Sequence, residues 1–190
     1  MANLKENKFI YADPSKCLGC KSCEMACALA HAGCDLETAV AKQMQLKPRN
    51  IVVQVGATVV PIQCRQCEDA PCAHVCPVGA LCQEDGLVKL NRENCVGCKV
   101  CAMVCPFGSI VMATETIQKT EGTRTNKARA LKCDLCFSRH EKVTEEACAC
   151  VQACPTQALA LIDYESYRQM VLAARVQEIA KSRASGSIRA

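Results

Sequence analysis

The chain has 190 residues, half of them hydrophobic, yet only three Phe, three Tyr and no Trp, so a core of large side chains is thin for this length. Nineteen residues are cysteine, and Lys plus Arg exceed Asp plus Glu by 23 to 19. No basic patch interleaved with aromatics accompanies that +4 charge, which argues against nucleic acid as a partner, and Met1 to Ile10 is polar, with no apolar stretch able to form a signal core or a membrane span. The default compartment is therefore a reducing cytosol, where dense cysteine reads as metal binding rather than as disulfides. Export would require a signal-bearing partner.

In chain order, Lys8–Ala12 is a short apolar run that predicts a strand, ended by Asp13-Pro14. It leads into Cys17-Leu-Gly-Cys20-Lys-Ser-Cys23-Glu-Met-Ala-Cys27, with gaps of two, two and three residues between cysteines. No proline follows, so Ala28-Leu29-Ala30-His31 predicts a continuing helix. His31 is expected to cap that helix or face solvent, and Cys34 to behave as a small buried hydrophobe. Residues 36–50 predict a linker or short helix ending in a turn at Lys47-Pro48-Arg49-Asn50. The β-branched runs Ile51–Val55 and Thr58–Val60 around Gly56 predict a pair of strands.

A second motif follows, Cys64-Arg-Gln-Cys67-Glu-Asp-Ala-Pro-Cys72-Ala-His-Val-Cys76-Pro77, with two residues inserted before the third cysteine. His74, between ligands, is expected on the solvent side of a helix. Val78 to Cys82, the Asp85-Gly86 turn and Leu87 to Leu90 predict a hairpin. Its second strand runs into Cys95-Val-Gly-Cys98-Lys-Val-Cys101-Ala-Met-Val-Cys105-Pro106, the complete C-x2-C-x2-C-x3-C-P run of iron–sulfur ligation. A cubane needs four converging thiolates. Gly97 is expected to let the backbone approach the inorganic sulfur, and Pro106 to end the helix begun after Cys101, turning Cys105 away. Zinc sites of four cysteines also use C-x2-C pairs, but they bring two pairs together across a longer spacer.

Residues 113–128 predict a polar hairpin or loop around Glu121-Gly122, with its charges on a solvated surface. The fourth motif opens with Cys133-Asp-Leu-Cys136 and closes with Cys150-Val-Gln-Ala-Cys154-Pro155. Cys148 competes for its third position, and the three-residue gap selects Cys150, leaving Cys34, Cys82 and Cys148 spare. Similar small-residue and aliphatic segments after the three Cys-Pro pairs mark an internal duplication. Asp163 can cap a helix over 164–181, with Tyr167, Met170, Val171, Ala174 and Ile179 forming a stripe that either packs on the protein itself or docks a partner; 182–190 is a polar tail.

In two-cluster ferredoxins the fourth cysteine of each run ligates the other cluster. Motifs two and three, joined by the short hairpin, pair first: Cys64, Cys67, Cys72 and Cys105 for one cluster, and Cys95, Cys98, Cys101 and Cys76 for its partner. Motifs one and four then pair as Cys17, Cys20, Cys23 and Cys154, and as Cys133, Cys136, Cys150 and Cys27. The expected fold is α+β: two bacterial two-[4Fe-4S] ferredoxin-like modules, one (51–112) inserted within the other (8–50 plus 129–163). Each oxidised cluster with its thiolates carries about −2, so four clusters turn the formal +4 into about −4. With 16 cysteines completing four sites and three isolated histidines, no catalytic constellation is left over, and the expectation is an electron-transfer subunit rather than an enzyme. A structural metal module without a redox role is the alternative of another class.

The motif order, including Cys67-Glu-Asp-Ala-Pro-Cys72 and Cys133-Asp-Leu-Cys136, resembles the four-cluster iron–sulfur subunits of the dimethyl sulfoxide reductase and formate dehydrogenase type over residues 8–163. The resemblance implies the same nested pairing and a chain of clusters between a catalytic subunit and a second redox partner. The opening Lys8-Phe-Ile-Tyr-Ala-Asp-Pro-Ser-Lys-Cys17 and the length look most like the iron–sulfur protein associated with anaerobic carbon monoxide dehydrogenase. That implies electrons passing to a membrane-bound hydrogenase, with formate dehydrogenase or formate hydrogenlyase as the alternative partner. It also implies a cytoplasmic location, or one at the membrane through the partner complex.

Overall fold

A computed structural model describes residues 7–118, 124–140 and 142–184. Strand β1 (Lys8–Ala12) buries Phe9, Ile10 and Ala12 and delivers the chain to helix α1 (Ser22–Ala32). Gly33 ends α1 in a left-handed conformation, its amide returning to the Ala30 and Leu29 carbonyls. Residues 36–50 open with a short helix, α2 (Leu36–Ala41), whose first turn is capped by Asp35 accepting from the Thr38 amide at 2.8 Å. Strands β2 (Ile51–Val55) and β3 (Thr58–Ile62) pair antiparallel across Gly56-Ala57.

Pro71 opens α3 (Pro71–His74), where its missing amide proton costs no hydrogen bond. Strands β4 (Leu81–Glu84) and β5 (Leu87–Leu90) form a hairpin through Asp85 and Gly86, both at positive φ, the geometry of a two-residue turn that matches strand twist. The segment before β4 differs from expectation, because Val78 to Ala80 form a turn and pairing begins only at Leu81. Helix α4 (Val100–Val104) starts before Cys101 rather than after it, and Cys105 is extended ahead of Pro106.

Strands β6 (Val111–Gln118) and β7 (Arg124–Leu131) pair from Val111↔Leu131 to Gln118↔Arg124. The Glu121-Gly122 turn expected there lies outside the described residues. Two one-turn helices, α5 (Phe137–His140) and α6 (Ala149–Gln152), precede β8 (Leu159–Asp163), which pairs with β1 in the register Lys8↔Asp163 to Ala12↔Leu159. Asp163 accepts from the Ser166 amide at 2.7 Å and starts α7 (Tyr164–Ala184).

Among the described residues the molecule combines mostly short helices and one long C-terminal helix with four two-stranded antiparallel sheets, the α+β build of a [4Fe-4S] ferredoxin-like fold. Two contacts position the cysteines. The β1–β8 pair joins the two ends of the cysteine-bearing chain, setting α1 against α6, while α3 packs on α4. Two small cores result. One gathers Ile10, Leu135, Val151 and Leu159 with thiols of the first, second and fourth motifs; the other gathers Leu81, Val88, Ile110 and Ala130 with thiols of the second and third.

The most deeply buried large side chains include Gln66 and Cys148 beside Ile10, Leu135, Val88 and Pro61, so apolar bulk is scarce even at the centre. Of the two readings of the α7 stripe, packing on the protein itself holds only at Tyr167. Tyr167 meets Phe9 and Tyr11, but Met170, Val171 and Ile179 are exposed, since the helix runs off the β1–β8 sheet after its first turn. Among the described residues no helix is long and apolar enough to cross a membrane.

Candidate iron–sulfur centres

The loops of motifs one and three have the same backbone design. Gly19 and Gly97 lie at φ +68° and +77°, and Lys21 and Lys99, also left-handed, turn the chain into α1 and α4. The close approach expected of Gly97 is to protein: a Cβ there would lie 2.2 Å from the Ala128 carbonyl oxygen of β7. Gly19 faces only the Val59 side chain, at 3.0 Å. In motifs two and four the turn is made instead by Gln66 and Leu135, whose left-handed backbones aim their amides at Cys64 Sγ (3.5 Å) and Cys133 Sγ (3.4 Å).

The thiols lie in four groups. One hollow is lined by Cys17, Cys20, Cys23 and Cys154, another by Cys76, Cys95, Cys98 and Cys101. Elsewhere the Cys72 thiol lies within electrostatic reach of Cys64, Cys105 and Cys67, and Cys150 within reach of Cys133, Cys27, Cys148 and Cys136. Each group therefore takes one thiol from a different motif than the rest, and the group around Cys150 also includes Cys148. Among the described residues no three His, Cys, Asp or Glu side chains converge tightly enough for a single ion. A zinc ion would draw its thiolates to about 2.3 Å from one point, whereas a cubane takes one thiolate at each of four irons.

Electrostatics divide the thiols into two kinds. Burial pushes Cys23 and Cys72 up to about 11, and pushes Cys133 and Cys150 up as well, so these sulfurs hold their protons until a metal centre replaces them. Burial also opposes ionisation of Cys76, Cys105 and Cys154, but backbone amides outweigh it, joined at Cys105 by the Ser109 hydroxyl and at Cys154 by that of Thr156. The turn 78–81 wraps Cys76, Phe107 to Ser109 wrap Cys105, and the Ala158 amide donates to Cys154 at 3.2 Å, so all three thiols are lowered. This is the work of the Cys-Pro segments: the proline ends the helix, and the following amides fold back on the sulfur.

Cys27 has no such turn, because α1 continues past it. Its sulfur instead receives the Arg49 amide at 3.4 Å and lies 3.6 Å from His31 Nδ1. His31 corrects the expectation of a capping or solvent-facing residue. Its side chain is 7% exposed, with Nδ1 2.8 Å from the Cys27 carbonyl oxygen and Nε2 3.0 Å from Asp134 Oδ1. Both partners only accept, so both ring nitrogens donate and the ring is an imidazolium. Burial opposes that charge, but the bonds to Asp134 and Cys27 hold its pKa up at about 9, and an ion pair from Arg49 completes the network. The spacing of His31 four residues after Cys27 on one helix face was the available sequence signal.

His74 faces solvent as expected, bonded to exposed Asp69. Cys34 is half exposed against Met44 Sδ rather than buried, because the turn after α1 has no core beneath it. Cys82 is half-buried on β4, near Glu84, and Cys148 is fully buried with its thiol toward the Leu135 carbonyl at 3.7 Å. A wider cavity is walled by Phe9, Phe107, Tyr164 and Tyr167 beside Cys67, and has no ligating cluster of its own.

Comparison with known proteins agrees with this chemistry. Residues 55–164 match the family described as a 4Fe-4S dicluster domain. An iron-sulfur protein of Rhodospirillum rubrum is 50% identical over 183 residues, 96% of each chain. The electron transport protein HydN of Escherichia coli K12 is 39% identical, covering 86% of this chain and 93% of its own, and hydrogenase-4 component A of the same strain is 33% identical over 87% of each. The four groups of thiols, with amide donors directed at their sulfurs, suit [4Fe-4S] clusters, of which the protein carries four. The chain belongs to the 4Fe-4S dicluster domain family and is a ferredoxin-like iron–sulfur electron-transfer protein.

Proposed function

We propose that the protein conducts electrons from carbon monoxide dehydrogenase to a membrane-bound hydrogenase complex through its four clusters, held in two nested two-cluster modules. Cluster 1 is held by Cys17, Cys20, Cys23 and Cys154, and cluster 2 by Cys133, Cys136, Cys150 and Cys27. Cluster 3 is held by Cys64, Cys67, Cys72 and Cys105, and cluster 4 by Cys95, Cys98, Cys101 and Cys76. The outer module is 8–50 plus 129–163, the inserted one 51–112, with a polar hairpin at 113–128 and the C-terminal helix α7 after the outer module. The clusters supply one-electron chemistry at tunable potential, and the chain's thiolates, amides and buried charges set that potential.

The observation that carries the pairing is the meeting of Cys154 with Cys17, Cys20 and Cys23 in one hollow, across more than a hundred residues of intervening chain. Order along the wire follows from neighbours. Cys133 of cluster 2 is within electrostatic reach of Cys64 of cluster 3, which supports the sequence 1–2–3–4. The exposed thiols Cys20 and Cys98 then mark the two ends where partners exchange electrons.

The hydrogenase end is supported by the name of one relative, hydrogenase-4 component A. The carbon monoxide dehydrogenase end is supported by the resemblance of the opening segment. Anaerobic copurification from the native cells tests the assignment. A nickel-containing carbon monoxide dehydrogenase in the complex is the expected result, and a formate dehydrogenase in its place would move the role to formate.

A further inference from the structure

Lys132 lies between β7 and Cys133 and is 2% exposed. Its Nζ donates to the Cys133 carbonyl at 2.8 Å, and among the described residues it makes no ion pair with a carboxylate. An ammonium taken out of water is heavily destabilised unless an opposite charge faces it. The carbonyl it bonds also accepts from Gln66 Nε2 at 3.0 Å, which sets the ammonium beside the second motif, and its charge acts on the thiols Cys67 and Cys72 of that motif and Cys133 of the fourth. Two of these belong to the same thiol group, and once deprotonated they supply the missing negative charge.

We propose that Lys132 is the internal counter-cation of the centre held by Cys64, Cys67, Cys72 and Cys105, and that its fixed charge raises that centre's reduction potential. The inference rests on the ligand grouping proposed above. Reduction adds one electron from the redox partner and no proton. A positive charge in a low-dielectric interior favours the more negative, reduced state, so its removal makes reduction harder.

The test compares the full-length holoprotein with Lys132→Met and Lys132→Arg, prepared anaerobically, by iron analysis and by redox titration followed by electron paramagnetic resonance. Cys72→Ser identifies the relevant signal. Lys132→Met is expected to keep its iron and to shift that signal's midpoint to more negative potential, while Lys132→Arg stays near the parent. An unchanged midpoint in Lys132→Met, an equal shift in Lys132→Arg, or a shift confined to another signal overturns the proposal. If Lys132→Met and Lys132→Gln both lose the centre, its retention in Lys132→Arg supports the counter-charge, and its loss there too overturns it. The grouping is tested separately: if Cys105→Ser alters a different signal from Cys72→Ser, the grouping fails, while the Lys132 comparison is still judged on Cys72 alone.

Discussion

Replacing Gly97 with alanine should cost the protein one cluster, whereas the same change at Gly19 should not. The two glycines occupy equivalent loop positions, and both lie in the left-handed region, so alanine pays a shared penalty of about 1–2 kcal/mol at each. What differs is the neighbour. At Gly19 the new methyl meets Val59 Cγ1 at 3.0 Å, the end of a side chain that can shift by a few tenths of an ångström. At Gly97 it meets the Ala128 carbonyl oxygen at 2.2 Å, so backbone must move by roughly 1 Å to restore ordinary contact.

Ala128 is paired with Thr114 in the β6–β7 ladder, and two residues on, the Ala130 amide donates to Cys95 Sγ at 3.4 Å. Displacing that strand weakens two or three hydrogen bonds worth about 1 kcal/mol each, for an additional loss of about 2–3 kcal/mol located at a cluster ligand. Iron content per chain, with the guanidinium midpoint for loss of visible absorbance, measures both effects. Gly19→Ala should remain iron-replete and slightly less stable; Gly97→Ala should lack the iron of one cluster. Equal iron and equal stability in the two variants would refute the reasoning.

Gln66 joins the second motif to both the β5 strand and the fourth motif, with Nε2 donating to the Cys133 carbonyl at 3.0 Å and Oε1 accepting from the Val88 amide at 2.9 Å, all in the interior. Gln66→Leu leaves the buried Val88 amide unpaired and removes one of the two donors to the Cys133 carbonyl, which Lys132 still meets, and should cost about 1–3 kcal/mol in denaturant unfolding; a loss below about 1 kcal/mol would show that the tie is dispensable. Cys148→Ala should leave iron content unchanged, because the buried thiol is directed at the Leu135 carbonyl, and disappearance of a cluster would put Cys148 among the ligands in place of Cys150. Chelation of all iron under reducing conditions should abolish the cooperative melt followed by circular dichroism, because the apolar core is too thin to hold the loops without their internal crosslinks. A sharp native-like transition in the iron-free chain would contradict this.

The motif chemistry was legible because it is local. Three cysteines in a run can bend around one cluster whatever the rest of the chain does, and a proline after the fourth stops the helix at that residue. The strand β1, the Asp85-Gly86 turn and the Asp163 cap were equally visible, since each depends on a few neighbouring residues. Long-range partners were less so. Val78 to Cys82 read as strand, yet the amides of Val78 to Leu81 are drawn to the Cys76 sulfur and pairing waits until Leu81. Gly97 reads as room for a cluster, but its neighbour is a carbonyl some thirty residues away that only the β6–β7 ladder brings near.

Sequence by itself therefore determined the chemistry, four runs of soft thiolate ligands at cubane spacing, and left the surroundings of those sulfurs open. Only the tertiary structure decided that His31, Asp134 and Arg49 form one network at Cys27, that Gln66 ties two motifs together, and that Lys132 is buried beside thiols with no carboxylate to meet it among the described residues. The physical reason is range. Ligand spacing is written within a dozen residues, whereas burial and charge at a sulfur depend on which distant segments the β1–β8 and β6–β7 pairings bring against it.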